Sequence, residues 1–354
     1  MYAIRFYRIY DIGKEIDLAS LERSLAESMA IARAGFVRVH PKSISMEEPP
    51  LLLRLQPAYV EQDGRGYTLT VVARVFDIGA ISLCLILEDE QASASMLEES
   101  ALRFAGQRGL DVHFGAALTQ LRAILTKELG DRPIDPGFYD DYTIYLADSL
   151  EAGTDPVAIL LGEKIPFSPE TRADTLQHTL SYAEDDRAII SWDGTILVGP
   201  ESPSDLIELV EFAMVQVLEL RFYDRELSRQ MEKMYEDIEL ADQLWWYRRV
   251  QHYRSLMKGL LNTQAEVSEI TEKINNLIKV TEDVYYARVY ATALRALRSQ
   301  QWTASVNHRI SVIRENYRML SDQVDVQHSH FLEWIVIALI AFEILIFILP
   351  IPGH

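Results

Sequence analysis

The sequence predicts an α+β protein, with an α/β head at the N-terminus, a long antiparallel helical or coiled-coil arm and one C-terminal transmembrane helix. Strand and helix patterns alternate through the first half of the chain, heptads of apolar residues begin at Leu206, and the last part of the chain is almost wholly apolar. The expected parts are an N-terminal α/β domain at residues 1–130, a second small α/β unit at 138–202, the arm at 203–330 and the membrane helix at 331–349.

The first part of the head has the pattern of a strand-rich α/β domain. Apolar and polar residues alternate in Ala3–Asp11, which predicts a strand, and Ile81–Glu88 has the continuous apolar run of a more buried strand. Between them, Leu51–Val60 and Tyr67–Asp77 flank the loop EQDGRG and predict a hairpin. Helical spacing is found in Ser20–Ala34 and Ala94–Leu129, and the turn residues of DRPIDPG (131–137) predict a domain boundary.

The second unit combines short helices with a hairpin. Tyr142–Ala147 predicts a strand, and Asp155–Gly162 and Thr171–Thr179 predict helices. Two apolar runs, Arg187–Trp192 and Thr195–Val198, are separated by Asp-Gly, which predicts a two-residue type I′ turn with positive φ at both central residues.

Apolar residues at alternating spacings of four and three predict the helical arm. The first run contains Leu206, Val210, Ala213, Val217, Leu220, Asp224, Leu227, Met231, Met234, Ile238, Ala241 and Trp245. Asp224 is its polar member, and a polar residue in such a seam typically sets register or oligomeric state. An equal alternative is that Asp224 is exposed to solvent at a point where the two helices of the seam separate. A weaker run follows at Val250–Ile278, and a third run from Val306 to Ile348 enters the apolar C-terminal segment.

The C-terminal segment has the length of a membrane span. The residues from Phe331 to Leu349 would form a helix of roughly 28 Å, close to the hydrocarbon core of about 30 Å. Arginines precede this segment and no signal-peptide pattern is present at the N-terminus, so we expect a tail-anchored, single-pass inner-membrane protein whose N-terminal body stays in the cytoplasm. Glu333 and Trp334 are expected at the membrane interface. The alternative is a buried helix in an oligomer core.

Glu343 is the costly residue of the segment, because a charged acid near the bilayer centre costs about 2.5–3.5 kcal/mol. We expect Glu343 to contact a helix of another subunit. The small residues Ala338 and Ala341 lie on the seam and would allow the close helix packing of an oligomer. A protonated acid tolerated in lipid is the alternative for Glu343, and an oligomeric channel is a more distant one.

Composition excludes some partners and compartments. The formal net charge is -19, and so acidic a surface repels phosphate backbones, which argues against direct nucleic-acid binding. The single cysteine, Cys84, excludes an internal disulfide and lies in the apolar run ISLCLIL, as a core residue does. We expect membrane lipid, further copies of the chain and an unidentified cytoplasmic protein as partners.

The sequence contains few candidates for chemistry. It has no phosphate-binding glycine motif and no cysteine pair, and Asp325 with His328 supplies only two metal ligands at helical spacing. Asp140-Asp141 and Glu184–Asp186 are paired acids that fit solvated turns better than acid/base chemistry. We therefore expect no catalytic residue, no metal and no cofactor. The alternative is an enzyme that uses these acids in a cleft of the head, and a deep pocket with converging titratable groups would favour it.

Five segments resemble a known family. LEWIVIALIAFEILI preceded by RISVIRENYRMLSDQ, together with SYAEDDRAIISWDG, ELVEFAMVQVLELRFYDRELSRQM and KVTEDVYYARVY, resembles a bacterial branch of the required-for-meiotic-nuclear-division family over residues 140–349. The resemblance implies a head, a helical arm and a membrane helix. It also implies an anchoring or scaffolding role, since the animal mitochondrial relative is associated with the inner membrane and with support of translation. We therefore expect an oligomeric scaffold or tether.

Overall fold

The head is built on one large sheet. The computed structural model describes residues 1–12, 15–25, 31–33, 50–89, 95–129, 134–151, 153–199, 203–241 and 284–348, with single residues between 248 and 272. The strands are β1 Tyr2–Asp11, β2 Ile31–Arg33, β3 Leu51–Arg54, β4 Ala58–Gln62, β5 Arg65–Val75, β6 Ala80–Asp89, β7 Tyr139–Ala147, β8 Thr179–Leu180, β9 Arg187–Ile190 and β10 Gly194–Val198. The helices are α1 Leu18–Leu25, α2 Ser95–Arg103, α3 Asp111–Leu129, α4 Pro156–Leu161, α5 Pro169–Leu176, α6 Ser204–Ala241, α7 Val284–Ala296 and α8 Ser299–Ile348, with a 3₁₀ turn at Ala105–Gln107.

The described residues divide into two compact units. The first, which we call the head, comprises Met1–Phe222 and Ile270–Thr303, and the second comprises Tyr223–Glu269 and Ala304–His354. The head contains the whole sheet, in the order β2-β3-β5-β6-β1-β7-β10-β9-β8, with β4 paired to β5. Strands from both predicted parts of the head therefore join one sheet.

β1 is the central strand of this sheet. It pairs in antiparallel fashion with β6 from Tyr2 to Asp11 and with β7 from Tyr2 to Tyr10. One face of β1 presents Ile4 and Phe6 to the core, where the Phe6 ring lies 5.4 Å from that of Phe104. Each such fully buried side chain contributes about 1.5–3 kcal/mol. Alternation along β1 places Tyr7 on the opposite face.

Within the head, a buried network of ion pairs joins the first part of α6 to the sheet. Arg74 of β5 forms ion pairs with Glu208, at 2.9 Å, and with Glu211, and the ring of Phe76 lies 6.2 Å from that of Phe212. Burial raises the pKa of Glu208 to about 7, despite the nearby Arg74. Burial opposes the charge of Arg74, yet the two carboxylates, Glu211 more than Glu208, raise the pKa of Arg74 overall.

The two Asp-Gly sequences form different turns. Asp63 and Gly64 have φ of 51° and 72° and connect β4 to β5 with the register Gln62↔Arg65, so they form a two-residue turn of the type I′ kind. The hairpin of β9 and β10 is also present, but its register joins Ile190 to Thr195 and neither Asp193 nor Gly194 has a positive φ. The predicted type I′ turn at Asp193-Gly194 is therefore wrong.

Other head elements follow the sequence prediction with shifted bounds. The strand predicted at Ala3–Asp11 is confirmed as β1, and the strand at Ile81–Glu88 as β6. The helix predicted at Ser20–Ala34 is shorter, because the chain forms strand β2 at Ile31–Arg33. Leu51–Val60 divides into β3 and β4 around Pro57, which has no N–H for a sheet ladder.

The predicted transmembrane helix at 331–349 is wrong. α8 extends from Ser299 to Ile348, but no helix within the described ranges is both long enough and apolar enough to cross a membrane. The predicted tail anchor and inner-membrane location are wrong for the same reason. The interface roles of Glu333 and Trp334 and the contact with lipid depended on this helix.

Asp224 lies in a partly buried contact inside the second unit. Its Oδ1 accepts hydrogen bonds from Ser305 Oγ at 2.7 Å and from Arg309 Nε at 2.6 Å. Seam residues Leu227, Met234, Val306 and Ile313 are buried in the same unit. A role of Asp224 in setting register stays a prediction. The weaker run at Val250–Ile278, the Asp325 and His328 side chains and Leu349 lie outside the described residues.

The raised pKa of Glu208 makes the stability of the head depend on pH. Because the pKa is about 7 in the folded state and ordinarily 4.5, the folded protein binds this proton more tightly. The contribution is fully present below the unfolded pKa and is lost as pH rises through 7. Glu208→Gln, which resembles the neutral acid, should remove up to roughly 3 kcal/mol of this pH dependence.

Urea unfolding of the wild type and of Glu208→Gln between about pH 5 and pH 8 measures this difference. Glu170→Gln, at an exposed position, is the matched control and should leave the pH dependence unchanged. Parallel stability curves for wild type and Glu208→Gln would contradict the assignment.

Candidate functional site

The free edge of β7 borders a cavity in the head. β10 pairs with β7 from Thr143 to Ala147, whereas β1 pairs with it from Tyr139 onward. The segment Tyr139–Tyr142 therefore has no β10 partner. A cavity of about 560 Å³ lies there, a volume within the range of small-molecule sites.

Six parts of the head form the wall of this cavity. They are β7, the 3₁₀ turn, the end of α4, the β9–β10 loop, α6 and the junction of α7 with α8. The lining residues are Ala105, Gly106, Gln107, Tyr139, Asp140, Asp141, Tyr142, Thr143, Tyr145, Leu160, Leu161, Gly162, Trp192, Asp193, Met214, Val217, Arg221, Leu297 and Trp302.

Gln107 fixes the 3₁₀ turn to two strands. Its Nε2 donates hydrogen bonds to the carbonyl of Tyr7 at 3.0 Å and to that of Tyr142 at 3.2 Å. Its Oε1 accepts a hydrogen bond from Nε of Arg8 at 3.2 Å. Gln107 is buried and has a φ of 56°, which is uncommon for a residue with a Cβ. These contacts hold one wall of the cavity against β1 and β7.

Gly162 allows the end of α4 to approach the same turn. It is the left-handed C-cap of α4, with a φ of 66°. A Cβ added at this position would lie 2.8 Å from Cβ of Ala105. The close packing of α4 against the 3₁₀ turn therefore requires a glycine at position 162.

Of the three aspartates that line the cavity, Asp140 alone forms an ion pair among the described residues. Asp140 forms an ion pair with Arg221, whose guanidinium also lies over the rings of Phe138, at 5.9 Å, and Trp302, at 5.6 Å. Asp141 and Asp193 have no ion pair partner among the described residues. Burial and the repulsion of Asp141 raise the pKa of Asp193.

Two tyrosines supply neutral polar groups to the cavity. The Tyr142 hydroxyl donates a hydrogen bond to the carbonyl of Ser191 at 2.8 Å and lies 2.8 Å from Oγ1 of Thr195. Burial raises the pKa of both Tyr142 and Tyr145, with a smaller contribution from Asp193. Both phenols therefore stay protonated at neutral pH.

This arrangement suits a cationic organic group. The rings of Trp192 and Trp302 line the cavity, each with an arginine, Arg298 or Arg221, over it, so these rings already accommodate cationic groups. Two carboxylates that have no ion pair partner among the described residues lie beside them. A metal has less support, since the described part of the chain contains no group of three or more residues placed to hold one.

The two acidic pairs singled out in the sequence have different environments. Asp140 and Asp141 lie in strand β7 and line the cavity, so the predicted turn is wrong for them, although Asp141 is exposed to solvent as expected. Glu184–Asp186 is an exposed turn, as expected, and Oδ1 of Asp186 accepts hydrogen bonds from the backbone of Tyr182 and Ala183.

The residues predicted to mediate oligomer contacts lie in the second unit. Glu333, Trp334, Ala338, Ala341 and Glu343 are all exposed on α8. Their predicted contact with another subunit therefore stays a prediction. No local pattern in the sequence marked the cavity residues Gln107, Arg221, Trp192 and Trp302 as candidates for a site, whereas Asp193 was predicted to lie in a turn.

A family match covers the first part of the chain. The family described as the N-terminal domain of uncharacterized protein MJ0711 matches residues 1–205, so the chain belongs to this family. The match includes the first 130 residues, which lie outside the resemblance found at 140–349, and ends near the start of α6.

A curated relative supports this assignment. The chain is 26% identical over 176 residues to uncharacterized protein MJ0711 of Methanocaldococcus jannaschii, which is 49% of this chain and 52% of the relative. The chain thus spans about half the length of that relative. No solved structure matches.

The approach of α4 to the 3₁₀ turn can be tested by adding one methyl group. Gly162→Ala should destabilise the head by roughly 2–4 kcal/mol, because a positive φ and a close contact both oppose the new Cβ. Gly64→Ala has a similar φ of 72° without any atom within 4 Å, and should cost only about 1 kcal/mol.

Chemical unfolding of these variants measures the difference. Combining Gly162→Ala with Ala105→Gly should restore most of the excess loss, since the clashing Cβ atom is removed. Equal losses for Gly64→Ala and Gly162→Ala, or no rescue by Ala105→Gly, would show that the contact is unimportant.

Proposed function

We propose that the head binds a small organic ligand that carries a cationic nitrogen, such as an amine. One observation carries this proposal: the cavity beside Tyr139–Tyr142 combines the carboxylates of Asp141 and Asp193, which have no ion pair partner among the described residues, with the rings of Trp192 and Trp302. Each carboxylate can accept a charge-assisted hydrogen bond from a cation, and an aromatic face adds roughly 0.5–2 kcal/mol.

The ion pair of Arg221 with Asp140 supports the preference of the cavity for a cationic ligand. It neutralises Asp140 and is held between aromatic rings, so its charge is already compensated. Asp141 and Asp193 then give the cavity its remaining negative charge. A neutral ligand would leave the mutual repulsion of these two carboxylates unrelieved, which favours a cationic ligand over a neutral one of equal shape.

The same cavity supports the alternative of an enzymatic head. It brings Asp140 and Asp141 together with a third carboxylate, Asp193, whose pKa burial raises above its ordinary value. The proposal made above shares ligand binding in this cavity with the enzymatic alternative, but it includes no reaction.

Tyramine, an aromatic amine, is a suitable probe, with 4-ethylphenol as its neutral analogue. Saturation-transfer NMR of the full chain should show tyramine binding and much weaker binding of 4-ethylphenol. The double variant Asp141→Asn with Asp193→Asn should bind tyramine about tenfold more weakly, because a charge-assisted hydrogen bond is worth roughly 1.5–3 kcal/mol.

Asp185→Asn, at an exposed acid outside the cavity, should leave tyramine binding unchanged. Equal binding of tyramine and 4-ethylphenol, or an equal affinity in the double variant, would contradict the proposal.

A homo-oligomeric scaffold is the second candidate function. It is supported by the apolar side chains of α8 between Glu333 and Glu343, which are exposed on the chain: Trp334 70%, Ile335 40%, Val336 54%, Ile337 55%, Leu339 61%, Ile340 51% and Phe342 60%. A contiguous surface of this kind marks a contact site. A second copy of α8 would cover it, with Ala338 and Ala341 allowing close approach and Glu343 meeting the partner helix.

The resemblance of residues 140–349 to the required-for-meiotic-nuclear-division family supports a scaffolding role. In this candidate function the oligomer presents its heads to an unidentified protein partner and supports translation, as that resemblance implies.

Light scattering of the full chain over a range of concentrations tests the scaffold. Leu339→Glu should shift association to at least tenfold higher concentration, because a charge would enter an apolar contact. Met319→Glu, at another exposed apolar position of α8, should have little effect.

Crosslinking of Glu343→Leu then tests the predicted contact of Glu343, with Glu333→Leu as its control. Loss of crosslinks in Glu343→Leu alone would support the contact. A chain that stays monomeric at every concentration, or associates only with detergent micelles, would contradict the scaffold.

A further inference from the structure

A second pocket of the head has the opposite charge from the cavity. Its volume is about 400 Å³, and it lies between the end of α5, the β9–β10 loop and the junction of α7 with α8. Trp192 borders both pockets and is the lining residue they share. The polar residues that matter below are Asp174, Gln177, His178, Arg295, Arg298 and Gln301.

Two exposed arginines give this pocket its positive charge. Neither Arg295 nor Arg298 has an ion pair partner among the described residues. Asp174 also lines the pocket, but it forms no ion pair with either arginine. Arginine presents a planar set of N–H donors that matches carboxylate and phosphate oxygens. Two uncompensated guanidinium groups at one pocket are therefore suited to an anion.

The geometry of the α7–α8 junction holds Arg298 in place. Arg298 has a φ of 58°, and its backbone N–H donates to the carbonyl of Arg295 at 3.0 Å. Its carbonyl accepts a hydrogen bond from the N–H of Gln301 at 3.0 Å. The guanidinium lies 5.3 Å from the centre of the Trp192 ring, so its plane is supported while its N–H groups remain free for a ligand.

His178 reports the positive potential of the pocket. Burial lowers the pKa of His178, and the charge of Arg295 lowers it further. A neutral imidazole can donate one hydrogen bond to an anion. Its position between the α5 end and the arginines makes His178 a sensitive probe of any anion bound there.

We propose that this pocket binds the oxyanion group of a small organic molecule, a phosphate or a carboxylate, through Arg295 and Arg298. The size of the pocket exceeds that of a free inorganic ion, and Gln177 and Gln301 offer amide groups for the rest of the ligand. This site goes beyond the amine site and does not depend on it, because the charged residues of the two pockets are different.

Phenyl phosphate and benzoate are the probes, and benzyl alcohol is the neutral analogue. Titration of the full chain at low salt, followed by NMR of the histidine ring protons, should show saturable shifts of the His178 signals with an anionic probe but not with benzyl alcohol. The His178→Gln variant identifies these signals. A bound anion should also raise the pKa of His178, since it offsets the charge of Arg295.

Arg295→Gln and Arg298→Gln should each weaken anion binding about tenfold, and the double variant more. Arg288→Gln removes an exposed arginine from the same helix α7 outside the pocket, and should leave the affinity within about twofold. Thermal unfolding of each variant confirms that the head remains folded.

A preference for phenyl phosphate identifies a phosphate ligand, and a preference for benzoate identifies a carboxylate. Either result supports the proposal when the arginine variants lose binding. Equal affinity in the Arg295→Gln and Arg298→Gln double variant, an equal loss in Arg288→Gln, or the same shifts with benzyl alcohol would overturn it. The Asp141→Asn and Asp193→Asn variant should retain anion binding, which distinguishes failure here from failure of the amine site.

Discussion

The pairing of β1 on both of its edges is the constraint on which the head depends. β6 and β7 are far apart in the sequence, and β1 joins them because both ladders extend along nearly its whole length. Each side chain of β1 is thereby assigned to one face of the sheet. This register places the carbonyl of Tyr7 beside that of Tyr142, so that one amide group of Gln107 can donate to both. The wall of the cavity is a consequence of this alignment.

The charge of each pocket in this protein differs from what the net charge of the whole chain would suggest. The whole chain is strongly acidic, yet opposite charges meet in a buried network at Arg74, and the head has an acidic and a basic pocket on the two sides of Trp192. At physiological ionic strength, charges beyond about 8 Å are largely screened. A small ligand therefore responds to the groups lining its pocket, while a long polyanion would meet the acidic surface as a whole.

Local patterns in the sequence predicted much of the head but little of its site. The alternation in Ala3–Asp11 and the apolar run at Ile81–Glu88 depend on neighbouring residues alone, and both strands are present. Asp63-Gly64 and Asp193-Gly194 are the same dipeptide in different turns, because Gly194 also pairs with Thr143 of β7 and that ladder determines its backbone. Arg221 and Trp302 reach the cavity from distant helices, which no local pattern reveals. The C-terminal segment shows the opposite error, since its apolar pattern predicted a membrane span and no described helix is both long enough and apolar enough to cross a membrane.

The end of the family match at residue 205 divides the residues that line the cavity into two groups. Asp141 and Asp193 lie within the matched residues, whereas Arg221, Leu297 and Trp302 come from the helices that follow. A fragment of this chain that ends at residue 205 would retain Asp141 and Asp193 but lose the wall that Arg221, Leu297 and Trp302 form. The proposed amine site therefore requires both the matched domain and the helices that follow it.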